Sequence, residues 1–126
     1  MPTLADIMHS DVYIAGPDTS VAEVAKSMVK RRLGSVLVCR SDVLLGIFTE
    51  RDVLRAAAAA ADLATSPLSS WMTKDPETAT PDLDAEEAAE IMLSRGFRHL
   101  PVLDGNRVAG IVSLRDVLAT RIGRAK

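Results

Sequence analysis

A hydroxyl, an arginine and an aspartate recur in one order at two places in this chain. The first is Thr49, Arg51 and Asp52 within Gly46-Ile47-Phe48-Thr49-Glu50-Arg51-Asp52. The second is Ser113, Arg115 and Asp116 within Gly110-Ile111-Val112-Ser113-Leu114-Arg115-Asp116. Each copy reads as the end of an apolar strand followed by the start of a helix. A hydroxyl with an acid three residues later marks a helix N-terminus. The same place offers backbone N–H groups and partial positive charge, so it can also hold a phosphate. A lone T-x-x-D would be read as a cap only. Two copies that keep Gly, Arg and Asp in one register favour binding.

The elements that must position these residues repeat as well. Matched positions lie 64 apart without a gap from Leu4/Leu68 to Leu54/Leu118, and include Met8/Met72, Pro17/Pro81, Glu23/Glu87, Met28/Met92 and Val38/Val102. Such a register is the mark of an internal repeat. It predicts one unit over residues 1–61, a linker over 62–67 and a second unit over 68–122. Two small units that cannot each bury a sheet face predict one domain with a pseudo-two-fold axis.

In unit one, Thr3 with Asp6 caps a helical turn and Val12-Tyr13-Ile14 is a short strand. Ser20 to Glu23 opens a helix running to about Arg32, with Val21, Val24, Ala25, Met28 and Val29 on one face, and Gly34 stops it. Ser35 to Cys39 and Val43 to Phe48 are strands about Arg40-Ser41-Asp42. Thr49 caps a helix that the alanine run 56–61 extends. In unit two, Leu68 to Met72 is the turn and Glu77-Thr78-Ala79 the short strand. Asp84 opens a helix with Ala85, Ala88, Ala89, Ile91 and Met92 inward, ended by Gly96. His99 to Leu103 and Arg107 to Val112 form a hairpin about Asp104-Gly105-Asn106. Ser113 opens a last helix that frays by Gly123. The class is α/β, each unit strand-helix-strand-strand-helix.

Bulk composition excludes several functions. The 126 residues are 48% hydrophobic, with 15 basic and 17 acidic side chains and a net charge of -2. That balance gives no support to nucleic-acid binding. No apolar run is long enough to span a bilayer and none resembles a signal peptide, so a cytoplasmic protein without membrane partners is expected. The one cysteine, Cys39, excludes an internal disulfide and reads as a small buried residue. His9 reads as surface and His99 as a structural histidine on an apolar strand. Neither has the neighbours a metal site needs, so no metal is expected. There is no nucleophile with its base and no G-x-x-x-x-G-K-T loop, so no catalytic residues and no enzyme activity are expected.

The two Gly-x-x-Thr/Ser-x-Arg-Asp segments, the Arg98-His99-Leu100-Pro101-Val102 strand, and the openings Ile7-Met8 and Trp71-Met72 resemble the cystathionine β-synthase (CBS) domain family. The likeness covers nearly everything from Leu4 to Ile122, as a stand-alone tandem pair. Unit one departs at Gly34-Ser35-Val36-Leu37-Val38, which has no His-Leu-Pro. The resemblance implies two units packed through their sheets, with two clefts that bind adenosine-containing molecules for regulation. The ligand class is AMP, ADP or ATP, with S-adenosylmethionine or NAD(H) as alternatives, and no cofactor is required.

By the same resemblance Asp116 and Asp52 take the ribose, since a carboxylate accepts from both hydroxyls. Ser113, Arg115, Thr49, Arg51, His99 and Arg98 face phosphate. Tyr13, Ala15, Leu33 and Gly34 would line the base pocket beside Asp116, and Ala79 and Phe97, with Glu77 and Arg98, the one beside Asp52. An acid at Glu77 repels an anionic ligand, which favours the Asp116 site. The pair is expected to act as a homodimer and to signal to an unknown effector protein. The rival expectation is a structural dimerisation and interaction module with vestigial clefts. Trp71 is expected to pack on a neighbour, and Lys30-Arg31-Arg32 to be a solvated helix end.

Overall fold

A computed structural model describes residues 2–121. In chain order the elements are α1 (Leu4–Ile7), β1 (Ile14–Ala15), α2 (Val21–Arg31), β2 (Ser35–Arg40), β3 (Val43–Thr49) and α3 (Glu50–Ala58). A 3-10 turn (Leu68–Ser70) follows, then β4 (Thr73–Lys74), α4 (Ala85–Arg95), β5 (His99–Asp104), β6 (Arg107–Ser113) and α5 (Leu114–Arg121). The expected fraying at Gly123 and the end of unit two at 122 lie outside the described residues.

The chain divides into two compact units, Tyr13–Pro76 and Met1–Val12 with Glu77–Lys126. These units are offset from the sequence repeats. The segment before each repeat's first strand belongs with the other repeat, because it supplies an edge to that repeat's hairpin. In the 13–76 unit the sheet order is β1-β2-β3-β4. β1 runs parallel to β2, with Ala15 opposite Val38. β2 and β3 form the antiparallel hairpin, and β4 lies along β3 with Thr73 opposite Ile47. In the other unit β5 and β6 form the hairpin, with His99 opposite Ser113. Its flanks are single bridges: Ala79 parallel to Val102, and His9 antiparallel to Ile111. These are the repeat equivalents of Ala15–Val38 and Thr73–Ile47. The strand predicted at Glu77-Thr78-Ala79 therefore shrinks to one bridge.

Gly46 and Gly110 follow from this edge crossing. A Cβ on Gly110 would stand 2.7 Å from the His9 carbonyl oxygen and 2.9 Å from Met8 Sδ. One on Gly46 would stand 2.7 Å from both the Thr73 carbonyl oxygen and Met72 Sδ. Both are backbone approaches that only glycine permits.

Each unit has its own apolar core. Val21, Val24 and Met28 of α2 pack with Val36, Val38, Phe48 and Leu68. Leu4, Ala85, Ala88, Ala89, Met92, Leu100, Val102, Val112 and Val117 form the other. Val29, expected inward, is 80% exposed. It lies one position beyond Met28, and the 100° step turns it off the buried stripe. Trp71 packs against the core of its own unit.

Two helix ends differ from expectation. α2 stops because Arg32 adopts the left-handed conformation (φ 57°), not at Gly34. The matched α4 closes on Gly96 at φ 78°. α3 ends at Ala58 instead of running through the alanines. Ala60 turns left-handed (φ 58°) and the Ala61 N–H donates back to the Ala56 carbonyl at 3.0 Å. That closure satisfies a terminal carbonyl and competes with helix extension despite alanine's propensity.

Candidate functional site

Each hairpin delivers its hydroxyl residue to the first turn of the following helix. The carbonyl of Gly34, in the loop before β2, accepts from the Glu50 N–H at 3.1 Å. Its counterpart Arg98 accepts from the Leu114 N–H at 2.9 Å. The entry of α3 and of α5 is thus fixed by the loop two strands earlier in the sheet. Thr49 and Ser113 sit half-buried at these entries, while Arg51 and Arg115 are exposed.

The aspartates close the same turn. Asp52 Oδ2 accepts from the Thr49 N–H at 2.9 Å and from the Thr49 hydroxyl at 3.4 Å. Asp116 Oδ2 accepts from the Ser113 N–H at 2.9 Å, and the Asp116 N–H donates to Ser113 Oγ at 3.1 Å. The cap reading therefore holds for both copies, and it consumes one carboxylate oxygen in each. It also occupies helix N–H donors that a phosphate would use.

The second oxygens have different neighbours. Asp52 Oδ1 accepts from Arg55 Nη1 at 2.8 Å, and the Asp52 side chain is 7% exposed. The Arg55 guanidinium lies over the Trp71 ring, 5.7 Å from its centroid. Asp116 Oδ1 lies 3.2 Å from His9 Nε2, with the Asp116 side chain 21% exposed and His9 65% exposed. Arg55 matches Ala119 in the other repeat, and His9 matches Thr73. Sequence reasoning missed both partners. Arg55 was within reach of the i, i+3 rule for helix pairs. His9 lies 107 residues from Asp116, and nothing local links them.

A further matched pair flanks the motif. The Arg31 guanidinium lies over the Tyr13 ring at 4.6 Å. At the matched positions Arg95 Nη1 donates to Glu77 Oε2. Arg31 is therefore more than a solvated helix end. The Glu77 carboxylate is thus paired within its own unit.

The remaining candidates divide between the units. Tyr13, Ala15, Leu33, Gly34, Thr49, Arg51 and Asp52 belong to the 13–76 unit, the others to its counterpart. Within the first, the Tyr13 carbonyl accepts from the Leu37 N–H at 3.0 Å, holding β1 beside β2. The Leu33 N–H caps α2 through the Met28 carbonyl at 2.9 Å. Within the second, Ala79 is buried and its N–H donates to the Pro101 carbonyl at 3.0 Å. Phe97 packs against the core, Arg98 is exposed, and His99 stands across the hairpin from Ser113.

The family model for the CBS domain matches residues 4–59 and again 68–123. The chain belongs to the CBS domain family. An uncharacterized 17.7 kDa protein of Acidianus ambivalens is 41% identical over 116 residues, covering 90% of this chain and 70% of that one. The crystal structure of the CBS-domain containing protein ATU1752 from Agrobacterium tumefaciens has a TM-score of 0.88 at 35% identity, over 94% of this chain and 98% of that one. The CBS domain pair of protein MJ0100, solved with 5'-methylthioadenosine and S-adenosyl-L-methionine, has a TM-score of 0.90 at 25% identity, over 98% of each chain. The fold is a tandem CBS pair of α/β class. Among the described residues no helix is long and apolar enough to cross a membrane.

Proposed function

We propose that this CBS pair is a cytoplasmic regulatory module that binds an adenosine-containing ligand and performs no chemistry on it. The observation that carries this reading is Asp116 Oδ1. It is turned away from the helix cap and met only by an exposed imidazole among the described residues. A carboxylate so held can accept from vicinal ribose hydroxyls. Asp52 holds the matching position of the other repeat. Ser113 and Arg115, Thr49 and Arg51, with Arg98 and His99, supply donors and positive charge for phosphate. Tyr13, Ala15, Leu33, Gly34, Ala79 and Phe97 supply base contacts.

AMP, ADP and ATP are the proposed ligand class. The MJ0100 pair supports the adenosine part, since both of its ligands carry adenosine. S-adenosylmethionine is therefore the first alternative, ahead of NAD(H). The ligand acts by favouring one of two states of the pair, and the listener is another protein.

A thermal-shift panel with AMP, ADP, ATP, S-adenosylmethionine and NAD(H) tests this. Saturation at a hundred times Kd stabilises the folded state by about 2.7 kcal/mol. Asp116→Ala removes a cap worth about 1 kcal/mol as well as the ribose acceptor. The ligand-dependent rise in Tm is therefore the readout, and it disappears in Asp116→Ala. A rise that survives the substitution refutes the ribose assignment.

The second reading, a dimerisation and docking module, also has an observation behind it. Val29 and Leu93 occupy one repeat position and are 80% and 66% exposed; Leu54 and Leu118 occupy another and are 70% and 47% exposed. Exposed aliphatic residues at matched helix positions fit a symmetric self-contact. We assign them to a homodimer. A flat ligand panel on folded, nucleotide-free protein would leave this docking role as the function.

A further inference from the structure

We propose that Arg55 closes the Asp52 position to a ribose, so that the chain binds adenosine ligands at one site, through Asp116. This rests on the ribose reading above and deepens it. A carboxylate offers about four lone-pair sites. Asp52 gives two of them to the Thr49 N–H and hydroxyl and one to Arg55. One remains, too few for two ribose hydroxyls. Asp116 gives one to the Ser113 N–H and one to His9, so two remain.

Two departures from the repeat act at this carboxylate, and a third removes the imidazole that meets its counterpart. Arg55 replaces the Ala119 of the other copy and supplies the cation. Trp71 replaces Ile7 and gives that cation a ring face to lie on. Thr73 replaces His9, whose imidazole reaches the matching carboxylate in the other unit. The carboxylate partner of Arg55 is buried. Displacing it would strand a buried anion. His9 is exposed and yields its place to a ligand hydroxyl without stranding anything.

The test is isothermal titration with AMP and with S-adenosylmethionine on the parent, Arg55→Ala, Asp116→Asn and the Arg55→Ala/Asp116→Asn double variant, each shown folded by circular dichroism. One site per chain is expected in the parent. Asp116→Asn weakens it at least tenfold. Arg55→Ala leaves the first site unchanged and adds a second, and the double variant keeps only the new one. Two sites in the parent, or a folded Arg55→Ala that gains none beside an intact first site, overturns the proposal while the function stands. No binding by the parent or by Arg55→Ala refutes the function and this inference together. Binding by Arg55→Ala alone sustains the role of Arg55 and refutes that of Asp116.

Discussion

Arg32 and Gly96 close equivalent helices in the same left-handed conformation, at φ 57° and 78°. One carries a Cβ that this conformation penalises by about 1–2 kcal/mol. The other carries none, at a chain-entropy cost of about 0.5–1 kcal/mol. Arg32→Gly is therefore expected to stabilise the protein by about 0.5–1 kcal/mol, and Gly96→Arg to destabilise it by a similar amount. Urea midpoints at constant m-value check both. Equal and small effects at both positions would show that the left-handed turn does not limit α2.

Gly110→Ala and Gly46→Ala press a methyl into backbone. The carbonyl oxygens of His9 and Thr73, each 2.7 Å from the added atom, belong to the edge segments and must move. A loss of about 1–3 kcal/mol is expected from each, the usual range for overpacking. In Gly110→Ala the His9 N–H to Ile111 carbonyl bond of 2.9 Å should weaken first. Faster amide exchange at His9 than at Leu100 and Val112 would register it. Unchanged exchange and stability would refute the close-approach account.

Cys39 should react slowly. Burial raises its thiol above the ordinary value, and the Asp42 carboxylate adds to the rise. At any pH near the ordinary thiol range, the native protein holds less thiolate than the unfolded chain. Iodoacetamide should label urea-unfolded protein faster, and the native rate should climb only at higher pH. By linkage, the folded state keeps its full stability below the unfolded thiol's pKa. It loses part of it as pH rises through the raised one. Equal native and unfolded rates at pH 8 would contradict this.

Leu54→Asp with Leu118→Asp should separate the proposed homodimer. Each burial of a leucine contributes about 1.5–3 kcal/mol, so two charged replacements should raise the dimer Kd at least a hundredfold. Both side chains are exposed, so the folded monomer should keep its Tm. Sedimentation velocity across a concentration series reads the outcome. An unchanged association constant would place the dimer contact elsewhere.

The repeat, the α/β class, the helix-capping triplets and the hairpin turn were legible because each is a local pattern. Thr3-x-x-Asp6, Thr49-x-x-Asp52 and Ser113-x-x-Asp116 each bring the acid to the hydroxyl residue's N–H at 2.9 Å. The helix ends were less legible. Arg32 and Ala60 adopt a conformation that residue type alone assigns to glycine.

By itself the sequence determined the two matched motifs, the elements carrying them and the CBS family, because those depend on residue order and spacing within each copy. Tertiary structure alone decided which residues complete each carboxylate. It joined residues 2–12 to the second repeat and placed His9 on Asp116. In the first repeat it brought Trp71 under the cation that holds Asp52. Edge pairing is a backbone interaction that nearly any sequence can make. Local periodicity carries no record of which hairpin a segment will join, and only the packed units distinguish the two aspartates.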